Sequence, residues 1–272
     1  MNSLTILPTL FCKYNCAFCY NKLYNKSSIF LDIDFLKSFL VENGEKFDKI
    51  IISGGEPFEY PKSYFDDLVN VCKSFCKKVV INTFPVSMTN YRDDVDYLIS
   101  YDFISRPNAY AAWQNMLNFP KKFDVNMILT PQIFKLHPNN IFRKLLLLKN
   151  INSIELISFI NVPHLTWKIS QDFCDRFMKV FISSQLHLPF INVNREKINI
   201  LNGIESSYEE NDYNNYCLLP DKKLYIESSN NITGVFEYKE IKKTEIGILK
   251  PKIPYVCDLY SPEIIKAGKI NV

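Results

Sequence analysis

Between residue 4 and about residue 185, short β-rich apolar runs alternate with amphipathic helical runs, close to six of each, and this alternation restricts the fold more than any other feature. The strand-like runs cover residues 4–7, 49–53, 78–83, 103–105, 123–130 and 153–160. Most are apolar at nearly every position, as parallel strands covered on both faces are. Helices fit between them. The clearest carries Phe65, Leu68, Val69, Cys72, Phe75 and Cys76 at a spacing that gathers them on one stripe. Others are expected to begin near Asp32, Asn90, Asn108, Asn139 and Ser170, each with a side chain able to cap a first helical turn. Consecutive βα units with short links predict an α/β fold, a partial (β/α)6 parallel barrel with right-handed crossovers. Ligand sites then belong in the loops at the carboxyl ends of the strands.

The pattern changes after residue 200. The polar run 206–215 reads as a linker, and residues 222–227 and 234–240 flank Ser-Ser-Asn-Asn-Ile-Thr like the arms of a β-hairpin. This divides the chain into a core barrel over 1–205 and a small C-terminal extension over 206–272. With 272 residues, 47% of them hydrophobic, there is material for a substantial core. The balance of 32 basic and 29 acidic residues leaves +3 with no dense basic cluster, so nucleic acid is not an expected partner. The first residues lack a basic segment, and their short apolar stretch is broken by Pro8, so no signal peptide or membrane span is expected. A cytoplasmic location follows as the expectation. In a reducing compartment the eight cysteines are not a disulfide framework, and each belongs to metal binding, catalysis or burial.

The loop after the first expected strand reads Cys-Lys-Tyr-Asn-Cys-Ala-Phe-Cys-Tyr, with Cys12, Cys16 and Cys19 spaced C-x3-C-x2-C. One short loop of this kind can wrap three thiolates around a cubic iron–sulfur cluster, whose separate irons take soft sulfur ligands. Three thiolates leave one iron open, which suits chemistry more than electron storage. Structural zinc takes four closed ligands and no fourth Cys or His lies nearby, while clusters used only for electron transfer more often have four cysteines. Cys72 and Cys76 lie on the helical stripe above, and Cys174 joins Phe177, Met178 and Phe181 on another, so these three are expected in the core. His137, His164 and His187 have no metal-binding spacing and receive no catalytic role.

Of only seven glycines, two are adjacent in Ile-Ser-Gly-Gly-Glu-Pro-Phe, directly after the second expected strand. Adjacent glycines permit close backbone approach to a ligand and unusual φ angles, and Pro57 fixes the turn that follows. An ordinary strand-end turn would use the same residues.

In these two motifs the sequence resembles the radical S-adenosylmethionine (SAM) superfamily, whose defining loop is CxxxCxxC with an aromatic residue before the last Cys, here Phe18. The superfamily also has a Gly-Gly-Glu segment after the second strand. The resemblance implies a barrel of radical SAM type and a [4Fe-4S] cluster on Cys12, Cys16 and Cys19, with the open iron chelated by the amino and carboxylate groups of SAM. It implies that one-electron reduction cleaves SAM to methionine and a 5′-deoxyadenosyl radical that abstracts hydrogen from a substrate. An electron donor such as flavodoxin or ferredoxin is then a required partner. Gly54, Gly55, Glu56 and Pro57 match the segment whose backbone binds the SAM amino group, and Asn82, Thr83, Ser105 and Asn126 stand where polar SAM contacts occur. Some members carry a C-terminal SPASM or twitch extension that holds an auxiliary iron–sulfur cluster on cysteines around a β-hairpin. Cys217 and Cys257 bracket the expected hairpin, but two thiolates fall short of the usual complement, so a clusterless cap is favoured over an auxiliary cluster. Peptide and small-metabolite substrates both fit, and the twitch-like extension leans towards a peptide. A glycyl-radical-enzyme activase and a noncatalytic iron–sulfur protein are the alternatives.

Overall fold

The computed structural model describes residues 2–19, 21, 28–158, 191–192, 214–229 and 236–247. Strands β1 (Asn2–Ile6), β2 (Lys49–Ile52), β3 (Val79–Thr83), β4 (Asp96–Ser100), β5 (Phe123–Leu129), β6 (Ile151–Ser158) and β7 (Ile191–Asn192) lie side by side in chain order. Every neighbouring pair among them is parallel. On the other side of β1 the sheet continues with β8 (Asn214–Leu218), parallel to β1, and then with β9 (Leu224–Ser229) and β10 (Phe236–Ile241), both in antiparallel pairing. The α/β fold with a mostly parallel sheet matches the expectation.

Helix α1 (Ile33–Asn43) starts where its cap predicts, the Asp32 carboxylate accepting the Phe35 N–H at 2.9 Å. Helix α2 (Lys62–Phe75) buries Phe65, Leu68, Val69 and Cys72, with Cys76 at its C-cap also buried. Helix α3 (Ala109–Leu117) follows Asn108, whose side chain makes no capping bond and whose φ of 60° is left-handed. Helices α4 (Pro131–Phe134) and α5 (Pro138–Leu145) fill the β5–β6 connection, and Asn139 lies just inside α5.

Strand alternation separates two faces. Ile6, Ile52, Ile81, Ile99, Val125 and Ile154 join Leu36 and Phe39 of α1 and Phe65 and Leu68 of α2 in one apolar cluster. Each such side chain contributes about 2 kcal/mol on leaving water. On the opposite face the polar residues Ser100, Asn126 and Glu155 sit in register on β4, β5 and β6.

Three expectations are corrected. The fourth strand is Asp96–Ser100, not 103–105, because Asp-Tyr-Leu-Ile-Ser alternates burial with the period of two that a pleated strand requires. No helix begins near Asn90. That side chain is fully buried and bonds a distant loop instead, its Nδ2 donating to Pro57 O at 3.0 Å and Tyr60 O at 2.8 Å. Finally, Asn214 and Asn215, the end of the expected linker, belong to β8, where the Asn215 Oδ1 accepts from the Ser3 and Thr5 hydroxyls, each at 2.9 Å. The helix expected at Ser170, together with Cys174, Cys257, His164 and His187, lies outside the described residues. Among the described residues no helix is long and apolar enough to cross a membrane.

Candidate functional site

The carboxyl ends of β1 and β2 emerge together, and the loops that follow are joined through their backbones. Ser53 N–H donates to Ile6 O at 2.9 Å and Gly55 N–H to Thr9 O at 2.8 Å. Space explains the two glycines. A Cβ on Gly55 would stand 2.0 Å from Phe11 O and one on Gly54 2.5 Å from Thr9 O, and Gly54 has a φ of +104°. The close approach that the sequence assigned to a ligand is therefore made, in the first place, with the chain's own cysteine loop.

That loop is held from several sides. Leu31 N–H donates to Pro8 O at 2.7 Å, Asn15 takes a left-handed φ of 47°, and Cys19 N–H returns to Cys16 O at 3.1 Å. The Tyr14 hydroxyl and the Lys13 ammonium both donate to the Glu59 carboxylate, at 2.5 and 2.6 Å, which ties the loop to a 3-10 turn at Pro57–Glu59. Behind it, Asn21 Nδ2 donates to Gly54 O at 3.3 Å, and the Tyr238 hydroxyl of β10 donates to Asn21 Oδ1 at 3.4 Å.

Glu56 is buried, and its carboxylate accepts from the Thr83 hydroxyl, from Phe84 N–H at 2.8 Å and from Phe58 N–H at 3.1 Å. Burial pushes this carboxyl up to about 7, with the three donors opposing the rise. The side chain thus ties the β2 loop to the end of β3 and occupies Thr83. Asn82 stands in a relay: Ser100 Oγ donates to its Oδ1 at 2.9 Å, and its Nδ2 donates to Ser53 Oγ at 3.2 Å. Ser105 lies in the loop after β4, its N–H on Asp102 and its hydroxyl against that of Thr130, each at 2.5 Å. Asn126 Oδ1 is buried with no hydrogen-bond partner among the described residues, which leaves an acceptor for a ligand at the polar face.

Cys16 is buried and Cys12 and Cys19 half-buried. Burial pushes the Cys16 thiol up to about 11, the Arg106 guanidinium draws it back, and the Cys19 and Cys12 sulfurs add to the rise. Burial also raises the Cys12 thiol, opposed by backbone hydrogen bonding at Tyr14. All three sulfurs therefore share one electrostatic environment at the end of β1. Among the described residues no three of His, Cys, Asp and Glu converge tightly enough to hold a single ion. A cubic cluster takes its thiolates on different irons and needs no such convergence, so three soft sulfurs on one pinned loop fit a three-thiolate iron–sulfur cluster.

Arg106 gave no signal in the sequence. Its Nε donates to Asp102 Oδ2 at 3.1 Å, and its guanidinium lies 5.0 Å from the Phe18 ring centre and 5.1 Å from that of Phe84. These partners come from three separate segments, so only the folded chain reveals the cluster.

The remaining described cysteines pack as core. Cys76 Sγ donates to Lys78 O at 3.5 Å, Cys72 is buried in α2, and Cys217 packs with Leu7 and Leu219. Cys72→Ala is expected to cost about 1 kcal/mol in urea unfolding and to leave iron loading unchanged; a loss of bound iron would show that Cys72 is a ligand and not a core residue.

No protein-family model and no curated protein matches the sequence. Solved structures do. SuiB from Streptococcus suis superposes with a TM-score of 0.61 at 15% identity, over 82% of this chain and 59% of SuiB. SuiB bound to its precursor peptide SuiA gives a TM-score of 0.60 at 14% identity, over 99% of this chain and 66% of that one. The anSMEcpe enzyme with bound AdoMet and Cp18Cys peptide gives 0.62 at 14% identity, over 83% and 73%. The chain thus spans under two thirds of SuiB's length. Its fold, a mostly parallel sheet with the cysteine loop after β1, is the fold of SuiB and anSMEcpe.

Proposed function

We propose that the chain is a radical SAM enzyme that modifies a peptide, with a [4Fe-4S] cluster on Cys12, Cys16 and Cys19 and SAM against the backbone of Gly54, Gly55, Glu56 and Pro57. The observation that carries this reading is the contact between the two motif loops: Gly55 N–H bonds Thr9 O at 2.8 Å, which joins the Gly-Gly segment to the start of the cysteine loop. When bound, the cluster keeps one iron for the amino and carboxylate groups of SAM and supplies the electron that breaks its carbon–sulfur bond. The chain's own residues prepare that place. Glu59 fixes the cysteine loop, Glu56 fixes the Gly-Gly loop against β3, and Asn82, Ser105 and Asn126 offer polar atoms to the ribose side of SAM. In this reading the sheet curls into a partial barrel within residues 1–205, residues 206–272 form the C-terminal extension with its β9–β10 hairpin, and a flavodoxin or ferredoxin delivers the electron. A peptide is preferred as substrate because SuiB was solved with its precursor peptide SuiA and anSMEcpe with the Cp18Cys peptide.

Anaerobic reconstitution with iron and sulfide, followed by dithionite and SAM, tests the reading. Formation of 5′-deoxyadenosine and methionine is expected in the wild type and not in Cys12→Ala, Cys16→Ala or Cys19→Ala. A loaded cluster that never turns over SAM would leave a noncatalytic iron–sulfur protein and overturn it.

A further inference from the structure

We propose that Arg106 is a positioning cation for the cluster, compensating the negative charge of the three-thiolate assembly and holding its reduction potential up. The proposal rests on the reading of Cys12, Cys16 and Cys19 as the cluster ligands.

The ion pair of Arg106 with Asp102 is incomplete. The Arg106 side chain is 10% exposed and that of Asp102 fully buried. A guanidinium carries five N–H donors and stays protonated. Among the described residues Asp102 Oδ2 accepts only the Nε–H, and the Nη groups have no hydrogen-bond partner. Asp102 is already committed elsewhere, its Oδ1 accepting Ile104 N–H at 3.3 Å and Ser105 N–H at 2.5 Å. A guanidinium this nearly buried is stabilised by a negative partner that takes its remaining donors.

The flanking rings say where that partner lies. Phe18 and Phe84 attract the cation through their faces, but they leave its N–H edge unspent. Phe18 stands between Cys16 and Cys19 in the chain, so the stack presses the guanidinium against the cysteine loop. On the other side, Phe84 is fixed by its N–H bond to Glu56. The charge is therefore held against the cysteine loop by both motif loops together, where its field reaches the Cys16 thiol. A cluster with three thiolates becomes more negative on reduction, and a fixed cation beside it stabilises the reduced form, as do hydrogen bonds to its sulfurs.

The test is an EPR-monitored redox titration of the reconstituted full chain without SAM or substrate, with iron and sulfide per chain measured first. A wild type that takes up no cluster would defeat the ligand reading itself, independently of Arg106. With the cluster loaded, Arg106→Gln is expected to shift the potential to a more negative value, while Arg106→Lys, which keeps the charge, stays closer to the wild type. Phe84→Leu, which keeps the arginine but removes one of its two rings, is expected to shift the potential the same way by less. A wild-type potential in Arg106→Gln overturns the proposal, as does a shift that appears only when SAM is added, since the anion would then be a ligand carboxylate. Should Arg106→Gln fail to fold or to load, Phe84→Leu decides, and an unchanged potential there overturns the proposal.

Discussion

Gly55→Ala is expected to cost the chain roughly 3 kcal/mol and most of its bound iron. The added Cβ would lie 2.0 Å from Phe11 O, a backbone atom, so no side-chain rotation relieves the clash. The loops after β1 and β2 must separate, and the Gly55 N–H bond to Thr9 O goes with them. Phe11 directly precedes Cys12, so the same movement displaces the first thiol. Urea unfolding of the iron-free chain and iron content after reconstitution measure the two effects separately. Gly44→Ala is the contrast: its Cβ would meet Phe75 Cβ at 3.2 Å, which a shift of a few tenths of an ångström relieves, and the expected cost is under about 1 kcal/mol. A Gly55→Ala protein with wild-type stability and iron content would mean that the loops do not touch in this way.

Glu56→Ala is expected to be of similar severity, roughly 3 kcal/mol, because it strands the N–H groups of Phe58 and Phe84 and the Thr83 hydroxyl in the interior. The pH dependence separates this carboxyl from the others. Its ordinary value is 4.5, and burial raises it to about 7 in the folded chain. Below 4.5 both states hold the proton and the contribution of the group is fully present. As the pH rises through about 7 that contribution is lost, by at most about 3 kcal/mol. Wild type should therefore lose stability relative to Glu56→Gln between about pH 5 and pH 8, measured by urea unfolding of the iron-free chain. Parallel pH profiles for the two proteins would show that Glu56 keeps an ordinary carboxyl in the fold.

Much of the core was legible because its signals are local. Asp32 announces α1 through a cap that needs only its own next residues, and the stripe from Phe65 to Cys72 announces α2 through a helical period. The cysteine spacing and the glycine pair likewise lie within single loops. The fourth strand was misplaced because Asp96–Ser100 is short and begins and ends on polar residues, and the pairing that makes it a strand comes from β3 and β5. Asn90 and Asn215 were misread for a related reason: an asparagine caps, links or lies buried according to partners that are far away in sequence.

For the site the same division holds. The sequence alone determined which residues carry soft sulfur, which loop they share, and that a Gly-Gly-Glu-Pro turn follows the next strand. Tertiary structure decided what those residues do for one another. It spent the glycines on the cysteine loop, closed the Glu56 carboxylate onto β3, and brought Arg106 between Phe18 and Phe84. The physical reason is range. Spacing and backbone preference act over a few residues and leave a trace in the sequence, whereas steric contact, buried charge and hydrogen bonding between loops depend on parallel pairing that brings distant segments to one end of the sheet.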